Sequence, residues 1–194
     1  MKSKLILAAV LAVLPVAAVA GPSVGIGYAD VGLSGHAGRP GVQISAGNLY
    51  GNQVIASGSA MFARGFYNVN ANIGKLIQAD GLGFEPYAGM GFVSMNYNQS
   101  EYGYNQPESI QDMYGLAGAN VTMPLSRRVA FGLGGGFGHT LDTFSGANGA
   151  VYTGDAMANF NITHRVSTNL QVNYLRVPGQ SVLAYGAGLS YHFS

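Results

Sequence analysis

The chain contains no cysteine, only 9% of its residues are charged, and beyond residue 20 it has no apolar run long enough for a membrane helix. Without cysteine there is neither a disulfide framework nor a thiolate metal site. Soluble domains usually carry about a quarter of their residues as charges, so so few point away from an ordinary water-facing surface. A strongly basic nucleic-acid binder is excluded as well, because lysine and arginine number 9 against 8 carboxylates.

The first twenty residues read as an export address. Lys2 and Lys4 precede an apolar run from Leu5 to Ala18, which closes on Ala18-Val19-Ala20. That order predicts a signal peptide over 1–20, cleaved after Ala20, and a single domain over 21–194. The run is shorter than the roughly 20 residues a spanning helix needs, and Gly21-Pro22 follows it. Cleavage leaves Lys75 and six arginines against eight carboxylates, a net charge of about −1.

What the chain does have is glycine (30 residues), tyrosine (12 residues) and strict two-residue alternation. Tyr67, Val69, Ala71 and Ile73 alternate with Asn68, Asn70 and Asn72. Leu170, Val172 and Tyr174 alternate with Asn169, Gln171 and Asn173, and the last segment sets Leu183, Tyr185, Ala187, Leu189, Tyr191 and Phe193 against small or polar residues. Period two places the two sets on opposite faces of a strand. The polar face is built from amides, hydroxyls and glycine, with few lysines or glutamates, which suits a narrow hydrogen-bonded lumen better than bulk water.

Turn signals divide the mature chain into ten candidate strands: 23–33, 41–50, 53–64, 66–77, 84–97, 112–123, 128–140, 149–163, 166–177 and 181–193. The predicted fold is therefore all-β, an antiparallel up-and-down transmembrane β-barrel. Ten strands are expected, with eight as the alternative if the blurred strands two and three merge. The alternation also suggests a phase slip near Ala29-Asp30. Tight turns follow strands two, four, six and eight, whereas Asn98–Gln111 and Leu141–Asn148 are expected as long polar loops on the opposite side.

Two stretches carry a family resemblance. Phe84-Glu-Pro-Tyr-Ala-Gly-Met-Gly-Phe92 is similar to the Pro-Tyr-x-Gly-x-Gly opening of a mid-chain strand in small OmpA-like and OmpX-like outer-membrane barrels. The C-terminal Gly188, Leu189, Tyr191 and Phe193 resemble the pattern that such proteins present to the barrel-assembly machinery, although the chain ends on Ser194. The resemblance implies residence in the outer membrane, with outer-membrane lipid and the assembly machinery as partners. Independently of it, Tyr191 and Phe193 fall where an aromatic girdle belongs.

No catalytic, cofactor or metal signature is present. The four histidines, His36, His139, His164 and His192, lack the spacing that joins two on one metal. The sharpest enzymatic alternative is a lipid-modifying site of His139, Asp142 and Ser145, whose spacing does not establish a triad. Glu85, Asp155 and His192 are expected to face the lumen, either as a polar path for small solutes or as satisfied groups that hold a closed barrel rigid. The row Gly132, Gly134, Gly136 and Gly138 is expected to face inward and make room for larger neighbours. Glu101, Tyr102 and Tyr104 in the 98–111 segment are the candidate contacts for an extracellular ligand. The expected role is structural or surface interaction without a wide pore, with a narrow channel and a lipid-modifying enzyme as alternatives.

Overall fold

The computed structural model describes residues 22–33, 38–101, 104–143 and 148–193. These form β1 (Ser23–Leu33), β2 (Arg39–Leu49), β3 (Val54–Ala63), β4 (Phe66–Lys75), β5 (Ile77–Ala79), β6 (Leu82–Glu101), β7 (Tyr104–Pro124), β8 (Val129–Thr143), β9 (Ala150–Asn161), β10 (Val166–Val177) and β11 (Gln180–His192). Strands consecutive in the sequence pair antiparallel except β4 and β5, which both pair with β6, and β1 pairs with β11. The sheet therefore closes on itself and has no free edge along the barrel wall.

β4 and β5 are one stave interrupted at Leu76, whose amide bonds Gln53 O at 2.8 Å instead of the strand ladder. The barrel thus has ten staves, and the eight-stranded alternative is excluded. The β5–β6 hairpin turns on Asp80-Gly81, with φ of 50° and 79°. Positive φ at both central residues is what a two-residue type I′ turn requires, and Asp-Gly supplies it at low steric cost.

Three sequence expectations need correction. The 98–111 segment is not a loop: β6 and β7 stay in register from Gly83↔Thr122 to Glu101↔Tyr104. β4 leaves β6 at Met95 and β8 leaves β7 at Asp112, so the remainder stands beyond the barrel as a two-stranded ribbon. Its polar composition suggested a loop, but its pairing continues the register of the barrel wall below it and needs no apolar alternation of its own. Likewise β8 runs on to Thr143, past a register shift opposite Met113/Tyr114 that leaves Leu141 as an extra residue. Lastly, no phase slip exists in β1, which pairs continuously from Ser23↔His192 to Leu33↔Val182. Ala29, Val31 and Leu33 are apolar residues that face inward.

The outer wall is apolar between the two rims. Ile26, Ile73, Leu133, Phe137, Tyr185 and Leu189 are exposed, Leu133 to 65% and Ile26 to 62%. Soluble monomers seldom expose contiguous apolar patches beyond a few hundred Å², whereas a continuous belt suits hydrocarbon. Edge-to-face Tyr191–Phe193, with ring centroids 4.9 Å apart, closes this belt at the end of the barrel that carries both described termini. The β6–β7 ribbon marks the other end.

Candidate functional site: a layered lumen

Inward side chains fall into three layers along the barrel axis. Nearest the ribbon end lies an apolar plug. Val31 and Val93 are 0% exposed, and with Leu33, Phe66, Met95 and Ile110 they form the centre of one buried cluster with Val151, Leu175, Val177 and Val182. β1, β4, β6, β7, β9, β10 and β11 contribute to it by the same two-residue parity that places polar groups deeper inside. Arg39 crosses the rim of this plug, donating from Nη1 to Arg64 O at 2.9 Å and to Asn96 O at 3.1 Å. It thereby ties the two-residue β3–β4 turn to the root of the ribbon.

Below the plug is a cavity of about 180 Å³, lined by amides, tyrosines and Asp155. A hydrogen-bonded run climbs its wall: Ser59 Oγ donates to Asn70 Oδ1 (3.2 Å), Asn70 Nδ2 to Asn68 Oδ1 (3.2 Å), and Asn68 Nδ2 to Tyr114 Oη (3.1 Å). Buried polar groups need such partners, and here the shared parity of Asn68 and Asn70 provides them. Gln171 Nε2 donates to Gln43 Oε1, a crossbar from β10 to β2 that passes over β11 and β1. Gln43 lines both the cavity and a smaller polar space beneath it.

Toward the termini lie the remaining candidates, of which Asp155 also lines the cavity. Glu85 accepts from Asn120 Nδ2 at 3.3 Å, and Asn120, Gly134 and Asp155 follow it in one directly opposed row across β7, β8 and β9. His192 Nε2 lies 3.0 Å from Ser167 Oγ. Glu85 and Asp155 thus share one row of the lumen wall, and His192 sits on another part of it.

Glycine determines how the large side chains fit. A Cβ at Gly91 would run into the Tyr114 ring, one at Gly118 would come within 2.7 Å of the Tyr87 hydroxyl, and one at Gly136 within 2.9 Å of it. Tyr87 opposes Gly118, and Tyr114 opposes Gly91, across β6–β7. The tyrosine rings therefore lie over bare backbone, and of Gly132, Gly134, Gly136 and Gly138 on the inner face of β8, Gly136 gives room to Tyr87 and Gly134 to Asn120 and Asp155.

Other candidate residues lie outside the lumen. Leu189, Tyr191 and Phe193 are on the outer belt and Gly188 faces inward. Glu101 and Tyr104 close the described part of the ribbon as an opposed pair, while Tyr102 lies outside the described residues. His139 is exposed on the outer face with Nδ1 3.0 Å from Thr140 O, Asp142 is exposed beyond the shift in β8, and Ser145 is outside the described residues. Arg176 points outward, opposite Tyr152 on β9. Among the described residues no three His, Asp or Glu groups come together as a metal site.

Sequence reasoning missed the plug and its Arg39 strap. The signal was present in the inward parity of Ala29, Val31 and Leu33 opposite Val182 and Ala184, but reading it required the pairing of β1 with β11.

No family model and no curated protein matches the sequence. Solved structures do match. The outer membrane protease OmpT from Escherichia coli superposes with a TM-score of 0.59 at 8% identity, over 93% of this chain and all (100%) of that one. The NanC porin superposes with a TM-score of 0.50 at 11% identity, over 87% of this chain and 98% of that one. The chain has the closed antiparallel fold of small outer-membrane β-barrels. At these identities the likeness extends to the fold alone.

Proposed function

We propose that the protein is an integral outer-membrane β-barrel with a structural or surface-interaction role and no open wide pore. The observation that carries this reading is the apolar plug, which fills the lumen at the ribbon end while the outer wall stays apolar. On this reading residues 1–20 are a cleavable signal peptide, Gly188, Leu189, Tyr191 and Phe193 are read by the barrel-assembly machinery, and the ribbon with Glu101, Tyr102 and Tyr104 is the part that meets an extracellular ligand. The ribbon end faces outward because even-numbered barrels return both termini to the periplasm.

A narrow channel is the second reading, supported by the amide-lined cavity of about 180 Å³. Catalysis by His139, Asp142 and Ser145 draws less support, since His139 faces outward from the barrel wall.

The test combines fractionation with electrophysiology. Recovery from outer membranes, with gel mobility that shifts on boiling, and silence in a planar bilayer are expected. Steady conductance by the unaltered protein would favour the channel, and recovery from the soluble periplasm with no mobility shift would overturn the barrel.

A further inference from the structure

Two neighbouring turns at the termini end are built to one plan. Leu125-Ser126-Arg127-Arg128-Val129 joins β7 to β8, and Ile162-Thr163-His164-Arg165-Val166 joins β9 to β10. In the first, Leu125 N and Ser126 N donate to Val129 O at 2.9 and 3.1 Å; in the second, Ile162 N and Thr163 N donate to Val166 O at 2.9 and 3.0 Å. Each hydroxyl then accepts from two amides: Ser126 Oγ from Arg128 and Val129 (3.2 and 3.1 Å), Thr163 Oγ1 from Arg165 and Val166 (3.2 and 3.0 Å). The turns are tied together, because Asn161 N donates to Arg128 O at 2.8 Å.

The consequence is a rigid backbone that presents the same side-chain set twice. Leu125 and Ile162 are each 58% exposed, directly below the belt residues Met123 and Phe160. Beside them Arg127, Arg128, His164 and Arg165 are all exposed. Neither turn contains a carboxylate, and Asp80 on the β5–β6 turn is the acid of that rim among the described residues. Aliphatic tips that continue an apolar belt, with guanidinium groups at their level, match the boundary between acyl chains and headgroups. Water alone would give no reason to expose a leucine and an isoleucine at both turn tips.

We propose that this paired turn is a binding surface for anionic phospholipid headgroups in the leaflet at the termini end. The guanidinium groups take the phosphates, which planar forks suit, while Leu125 and Ile162 insert between the upper acyl segments. The inference rests on the membrane-spanning reading above. It adds a lipid class and the residues that select it.

The test reconstitutes the full-length protein in phosphatidylcholine vesicles with trace spin-labelled phosphatidylglycerol or phosphatidylcholine and measures the motionally restricted fraction by electron paramagnetic resonance. Phosphatidylglycerol is expected to be favoured about five-fold at low salt, the effect of one well-placed cation, with the preference shrinking as ionic strength rises. Arg127→Gln/Arg128→Gln/Arg165→Gln should bring the ratio to about one while keeping the heat-shifted gel mobility, and Arg176→Gln at the opposite end should leave it unchanged. Equal restriction of both lipids by the unaltered protein, survival of the preference in the triple variant, or equal loss in Arg176→Gln overturns the proposal. Absence of any restricted lipid overturns the barrel reading itself, so the two failures are distinguishable.

Discussion

Phe66 and Met95 oppose each other directly across β4–β6 inside the plug, 4% and 0% exposed. Truncating either to alanine removes buried apolar contacts that the rigid barrel wall cannot collapse to replace, at about 3–5 kcal/mol for Phe66→Ala and about 2–5 kcal/mol for Met95→Ala. Because the two side chains share one site, the second truncation enlarges an existing void, and the double variant should lose less than the sum. An apolar void of this kind stays dry, so Phe66→Ala/Met95→Ala should weaken the barrel without passing current. Phe66→Ser/Met95→Ser puts hydroxyls into the same gap, wets it and joins the cavity to the ribbon end. Current should then appear, with cations favoured because Glu85, Asp112 and Asp155 face the lumen. Urea titration in vesicles, read by the folded band on unboiled gels, gives the stability of each variant, and a planar bilayer gives the current. Asn70→Ala, which cuts the amide run below the plug, is the control: about 1–2 kcal/mol of loss and no current. An alanine double variant within about 1 kcal/mol of the unaltered protein would refute the packing argument. A serine variant that folds yet stays silent would refute the plug as the barrier.

Three further outcomes follow from the geometry. Gly91→Val places a branched side chain against the Tyr114 ring and should destabilise by about 1–3 kcal/mol in the same urea titration, a loss that Tyr114→Ala in the same chain partly relieves. Ser126→Ala and Thr163→Ala each remove a hydroxyl that two amides share, and equal losses of about 0.5–1.5 kcal/mol are expected because the turns are alike. Arg64→Cys at the ribbon end should react with an impermeant maleimide on whole cells and Ser126→Cys should not, and the reverse pattern would invert the orientation.

Much of this protein was legible from alternation alone. Asn68, Asn70 and Asn72 fall on one face and Tyr67, Val69 and Ile73 on the other because a strand's period is two, whatever it packs against. The same rule fixed the outward set of the closing strand, Leu183 to Phe193, and the inward glycines of β8. Gly51, Asn52, Gly81 and Pro124 marked three of the tight turns, and the break between two alternating runs marked the fourth, at His164-Arg165.

Tertiary structure decided what the inside of the barrel is made of. Alternation tells that Val31 and Val93 share a side with polar residues of their own strands, but not that they meet across the lumen, since they are 62 positions apart in the chain. Closure of β1 on β11 and of β4 on β6 brought them together, and the height at which each strand crosses the barrel separated an apolar plug from an amide-lined cavity. The extent of the β6–β7 ribbon was hidden for a related reason: its register comes from the hairpin below it, not from any apolar pattern of its own. Which faces exist was therefore set residue by residue in the sequence, and which residues meet across the lumen was set by the pairing that closes the sheet.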